Sequence, residues 1–266
     1  MTGIDRRAFI GRSAAVVGAA ALAGPYAGFV APAGASNRRR EYGKLRSVRD
    51  KRDGMKRLEL PPGFRYRTFH QAGTELKDGT TIPGRGDGMA AFDAGRGRTL
   101  LVRNHEVNGP VGAYGDPSTA YDPLTGGGTI TALVNRWGHV LDDWVSLNGT
   151  QMNCAGGPTP WGSWLSCEET VNGDDVGDDF TGQSNEGLAP HGYVFEVPAA
   201  GTSDGVPIRS AGRFAHEAAA VDPHTGYVYL TEDNFNFPSG LYRYVAPENP
   251  MDVGRLTDGG RLQMLK

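Results

Sequence analysis

Three stretches share one pattern: GDGMAAFD (86–93) running on to LLVRNHE (100–106), NCAGGPTP (153–160) running on to SWLSCEE (163–169), and HEAAAVDP (216–223) running on to VYLTED (228–233). Each is a run of small residues, a turn, and an apolar run that ends in acid. If each folds as a hairpin, residues equidistant from the turn face each other. The midpoint of Glu217 and Glu232 falls between His224 and Thr225, that of Cys154 and Glu168 at Trp161, and that of Asp87 and Glu106 between Arg96 and Gly97. All three midpoints are turn sequence. The pattern therefore predicts three hairpins whose acidic ends lie on one side, with the small-residue strands crowded near an axis.

Around these hairpins the chain reads as short β-rich runs divided by Gly, Pro, Asp and Asn. The predicted strands are 65–70, 99–103, 129–135, 139–147, 164–167, 192–197, 227–231 and 241–245. Equivalent positions in the repeat are 67 and 63 residues apart, more than the ~40–50 of common propeller blades. The expected fold is all-β, an irregular β-propeller that is incomplete in this chain.

Carboxylates gathered on one axis repel one another and are tolerated when multivalent cations neutralise them. Oxygen ligands suit calcium, and a thiolate among them suits a transition metal such as iron. The candidate metal ligands are Cys154, Glu106, Glu169, Glu217 and Glu232, with Asp87, Glu168 and Asp233 behind them. His105 and His216 each precede a candidate Glu. Neighbours in a strand face opposite sides, so these histidines read as orienting or core residues, as does His191. Arg103 is the arginine nearest in sequence to the proposed axis. Arg85-Gly86-Asp87 matches an integrin-type tripeptide, a chance-level signal. The aspartates of 172–179 lack an EF-hand ligand pattern and read as a solvated loop. Cys154 and Cys167 could form a disulfide or stay free.

Composition agrees with a turn-rich fold: 40 glycines and 17 prolines in 266 residues, with 38% hydrophobic residues to build a core. Residues 1–36 carry Arg6 and Arg7 before a weakly apolar Ala/Gly/Val stretch and Ala33-Gly34-Ala35, which reads as a twin-arginine signal peptide. The translocase would be its partner, and the mature protein periplasmic or secreted. Residues 37–57 hold ten basic and three acidic residues and read as a solvated basic linker. The body, 58–266, has 14 basic and 26 acidic residues. No nucleic-acid partner and no stable membrane span are expected.

RGDGMA (85–90), LVRNHE (101–106), NCAGGPTPWGSWLSCEE (153–169), HGYVFEV (191–197) and GRFAHEAAAVDPHTGYVYLTED (212–233), together with the export signal, resemble the PhoX alkaline phosphatase family. The likeness covers most of residues 58–245 and is most specific over 153–169. It implies a β-propeller that hydrolyses phosphomonoesters with iron (Fe3+) and calcium (Ca2+) bound on its axis. It also implies Cys154 as a thiolate bridging two ferric ions and Glu217 as an iron ligand, with Glu106, Glu169 and Glu232 carried over as further ligands. The family's later Arg-Pro-Glu element has no counterpart after Leu241, hence the expectation of a partial propeller. Two other readings of the residues remain: a calcium-dependent lactonase-type hydrolase and a non-catalytic, calcium-stabilised propeller.

Overall fold

The three small-residue runs form strands because alternation and turn chemistry agree along each hairpin, and the computed structural model shows them as the first strands of three antiparallel meanders. It describes residues 43–247 and 250–266. The signal-peptide segment lies outside the described residues.

The first meander is β3 (Gly86–Asp93), β4 (Arg98–His105), β5 (Gly127–Asn135) and β6 (Val140–Thr150), paired in that order. The second is β7 (Asn153–Pro158), β8 (Ser163–Glu168) and β9 (Val194–Pro198). The third is β10 (His216–Val221), β11 (Val228–Glu232), β12 (Leu241–Val245) and β13 (Arg261–Met264). The fold is all-β, and among the described residues there is no α-helix. No helix there is long and apolar enough to cross a membrane.

The described residues form two units, 43–48 with 56–65, and 49–55 with 66–247 and 250–266. In the smaller unit, β2 (Lys56–Leu60) pairs with β1 (Arg46–Arg49) in a two-stranded sheet. Regular structure therefore begins within the segment read as a linker. Nearly every residue of both strands is exposed, and the Lys and Arg side chains that made the segment look solvated also discourage pairing with other chains. The strand expected over 65–70 does not form. Thr68 N instead donates to Asp50 Oδ1 at 3.1 Å, and His70 has φ +51°, which ends an extended run.

In the larger unit the three meanders meet through their first strands: β7 packs against both β3 and β10. Small residues are required there. A Cβ on Gly88 would lie 2.8 Å from both Ala155 Cα and Cys154 O, and one on Gly157 would lie 2.0 Å from Ala219 O. Behind this seam, Leu165, Cys167, Val194, Val228, Leu230 and Tyr244 form one core cluster. Val102, Leu147, Trp164, Phe195 and Val197 form another. Gly157→Ala must push β7 off β10, since the obstruction is backbone. We expect a loss of roughly 2–4 kcal/mol, read by chemical denaturation; a midpoint equal to wild type would show that the seam can open.

Candidate metal centre

Each of the three hairpins carries a β-bulge at the same place. The regular ladder ends at Met89↔Arg103, Gly156↔Ser166 and Ala219↔Leu230, and the next pairs are Gly86↔His105, Asn153↔Glu168 and His216↔Glu232. Asp87-Gly88, Cys154-Ala155 and Glu217-Ala218 thus stand against the single residues Asn104, Cys167 and Thr231. Two residues against one is the definition of a bulge, and a bulge re-aims the side chain at its first position. The re-aimed side chains are those of Asp87, Cys154 and Glu217.

The bulges also lock the meanders together. Asn104 Nδ2 donates to Cys154 O at 3.2 Å and to Ala155 O at 2.8 Å. Asn104 Oδ1 accepts from Trp164 Nε1 and Ser166 Oγ, both at 2.9 Å. From the second bulge, the Cys154 thiol points at the third, with Sγ 3.3 Å from His216 O and 3.4 Å from Glu217 O. Both cysteines are buried and free, so there is no disulfide.

A second set of equivalent residues, all acids, follows the second strand of each hairpin. Glu106 N donates to Arg85 O (2.9 Å), Glu169 N to Met152 O (2.9 Å) and Asp233 N to Ala215 O (3.0 Å). One backbone bond, repeated three times, makes Glu106, Glu169 and Asp233 equivalent. Cys154, Glu169 and Glu217 converge most tightly, each offering a ligand atom within 4.8 Å of the others.

Electrostatics tie the remaining acids to this group. Burial raises the Glu169 pKa to about 7, and Glu217, Asp233, Glu106 and Asp87 add to the rise. Glu217 is raised first by burial and then by Asp233 and Asp87. Burial also raises Glu106, with Arg85 opposing and Asp87 reinforcing. The Cys154 thiol is pushed far up by burial, then by Cys167. Burial and mutual repulsion thus push all of these groups toward their protonated forms, and a multivalent cation would offset both causes.

Glu168 and Glu232 are used differently. Glu168 Oε1 accepts from Gln151 N (2.9 Å) and His191 Nδ1 (2.7 Å), and Oε2 from Gly192 N (2.8 Å) and Tyr193 N (3.0 Å). Glu232 Oε1 accepts from Asn234 Nδ2 (3.1 Å), and Oε2 from Gly240 N and Tyr242 Oη (both 2.9 Å). Both carboxylates fix the loops that follow their strands. Asp233 stands where the repeat puts Glu106 and Glu169, a position the sequence marks by the acid that ends each of LVRNHE, WLSCEE and VYLTED.

The histidines are interior groups. His105, His191 and His216 are at most 1% exposed. His105 Nδ1 donates to Gly84 O at 3.0 Å and Nε2 accepts from Arg103 at 3.2 Å. Arg103, the arginine the sequence puts nearest the axis, thus bonds to His105. In the 172–179 loop both ends are buried: Asp179 accepts from Thr181, Gln183 and Asn108, while Asn172 Nδ2 donates to Gln151 Oε1 at 2.8 Å.

Compared with known families, the chain matches the family model described as "Alkaline phosphatase PhoX" over residues 41–142 and 123–266. The chain belongs to the PhoX family. No curated protein and no solved structure gives a significant match. The span matched by the PhoX model takes in all three bulged hairpins and the acids that follow them, so the family match and the convergent side chains concern the same part of the chain.

Proposed function

We propose that this protein is an exported, metal-dependent phosphomonoester hydrolase that releases inorganic phosphate. The observation that carries this is the approach of Cys154, Glu169 and Glu217 to within 4.8 Å in a chain matched by the PhoX alkaline phosphatase model. The donor set fits the expected cations. Cys154 with Glu169 and Glu217 would hold iron, and the oxygen-only positions Asp87, Glu106 and Asp233 would hold calcium. When bound, such cations supply Lewis acidity toward a phosphoryl oxygen and a nucleophile at neutral to alkaline pH.

The chain's own part is positional. The three bulges set the Asp87, Cys154 and Glu217 side chains, and Asn104 fixes the first hairpin against the bulge of the second. Glu168 and Glu232 hold the loops around them. Burial and the neighbouring acids raise the Glu169 pKa to about 7, so a cation held there would displace a proton. Arg6 and Arg7 would address the protein to the twin-arginine translocase, and so to the periplasm or the medium. The buried thiol favours this reading over a calcium-only lactonase or a non-catalytic calcium-stabilised propeller, since neither needs sulfur.

Phosphate release from a generic phosphomonoester at alkaline pH tests the proposal. Stripping metal with a chelator is expected to lower it at least about 100-fold, with recovery on adding iron and calcium. Undiminished hydrolysis by metal-free protein would overturn the proposal. Lactone hydrolysis without phosphate release would support the lactonase alternative.

A further inference from the structure

We propose that Arg85 is the residue that binds the phosphate group of the substrate at the mouth of the acidic centre. This inference rests on the phosphomonoesterase reading above and adds the contact that reading leaves unassigned. A cluster of acids and a thiol can gather cations, but it has no side chain of its own to meet a phosphomonoester dianion. A guanidinium is the side chain best shaped for that contact, since its planar fork of donors matches phosphate oxygens.

The repeat shows why Arg85 is unusual. The residue before each inner strand has one structural duty, to accept the N–H of the exit acid through its carbonyl. Arg85, Met152 and Ala215 all do this. The other two are apolar, and Met152 is buried, so the shared duty needs no charge. Arg85 is exposed. It lies two residues before the bulged Asp87, and its carbonyl is bonded to Glu106. Its charge reaches Glu106, yet among the described residues no carboxylate forms an ion pair with it.

Arg85 has φ +56° and its equivalent Met152 φ +51°, so the left-handed backbone, which glycine adopts freely, belongs to the shared bond and the charge is what sets Arg85 apart. Of the other arginines in this hairpin, Arg96 and Arg98 lie at its far, turn end, and Arg103 donates to His105 Nε2.

The same φ supplies a clean variant. Arg85→Gly removes the guanidinium, suits the backbone and keeps the carbonyl that holds Glu106. Binding of inorganic phosphate to the metal-loaded full chain is measured by calorimetry, alongside KM and kcat for a generic phosphomonoester and the iron and calcium content. Arg85→Gly is expected to keep its metals and its denaturation midpoint, while phosphate affinity falls about 10- to 100-fold and KM rises in step. Arg85→Lys should recover part of both. Unchanged phosphate affinity and KM in Arg85→Gly would overturn the assignment, as would an effect accompanied by metal loss. If wild type binds phosphate through Arg85 but hydrolyses nothing, the contact stands and the phosphatase reading falls. If wild type binds no phosphate, both fall.

Discussion

Cys154→Ser is expected to lower phosphate release at least about 100-fold and to leave the protein without bound iron, while the fold survives. A serine fits the space of a cysteine, and its hydroxyl can still donate to the carbonyls of His216 and Glu217 that the thiol faces at 3.3 and 3.4 Å. The bulge, and with it the positions of Glu169 and Glu217, is therefore retained. What is lost is the soft donor. An alkoxide is far less accessible than a thiolate, and the remaining carboxylates are an oxygen set suited to calcium. Removing a group that merely supports a metal site costs 10- to 100-fold, and removing a ligand should cost no less. The checks are steady-state phosphate release, elemental analysis and a denaturation midpoint on one preparation. Retained iron with retained activity would remove Cys154 from the centre.

Glu168→Ala is expected to be the most damaging change to stability, at about 3–5 kcal/mol. Its carboxylate is fully buried and answers four N–H donors. Truncation strands the backbone N–H groups of Gln151, Gly192 and Tyr193, and it takes from His191 the nearer of two carboxylates, at 2.7 Å against 3.4 Å for Asp122. Burial alone would lower the His191 pKa, but Glu168 and Asp122 outweigh it and raise it to about 9. A folded-state pKa above the unfolded value near 6.5 means that the imidazolium stabilises the fold fully below about pH 6.5. That contribution is lost as pH rises through about 9. Urea titrations from pH 6 to 10 should show wild type weakening across this window and Glu168→Gln, which keeps an acceptor but no charge, nearly level. Parallel curves would deny the His191–Glu168 pair this role.

The hairpins were legible because their turns were. Turn midpoints place Cys154 with Glu168 and Glu217 with Glu232, and that register holds through the regular part of both hairpins. In the first hairpin it is one residue off, with Met89 opposite Arg103. The bulges were not legible. One inserted residue leaves no mark in hydrophobic alternation beyond a small residue after it, here Gly88, Ala155 and Ala218. Each bulge nonetheless shifts the pairing by one. That shift puts His216, not Glu217, opposite Glu232, frees Glu217 for the centre and moves the equivalent acid from Glu232 to Asp233. A hydrogen-bonding Glu168 was one reading of the sequence, but its partners and those of Asp122, which accepts from Leu124 N and Ala189 N, were hidden for another reason. The role of both carboxylates is to answer backbone N–H groups brought in by distant loops, a demand that arises only once the chain has folded. Arg85 stood out in the sequence only as part of a chance-level tripeptide, and the threefold backbone bond sets it apart from its apolar equivalents Met152 and Ala215.

Iron K-edge X-ray absorption on the metal-loaded protein addresses the central claim, that the bulged strands deliver a thiol and carboxylates to one metal. The expected spectrum contains an iron–sulfur scattering path alongside oxygen ligands in wild type and loses the sulfur path in Cys154→Ser. Bound iron with oxygen ligands alone in wild type would contradict the claim.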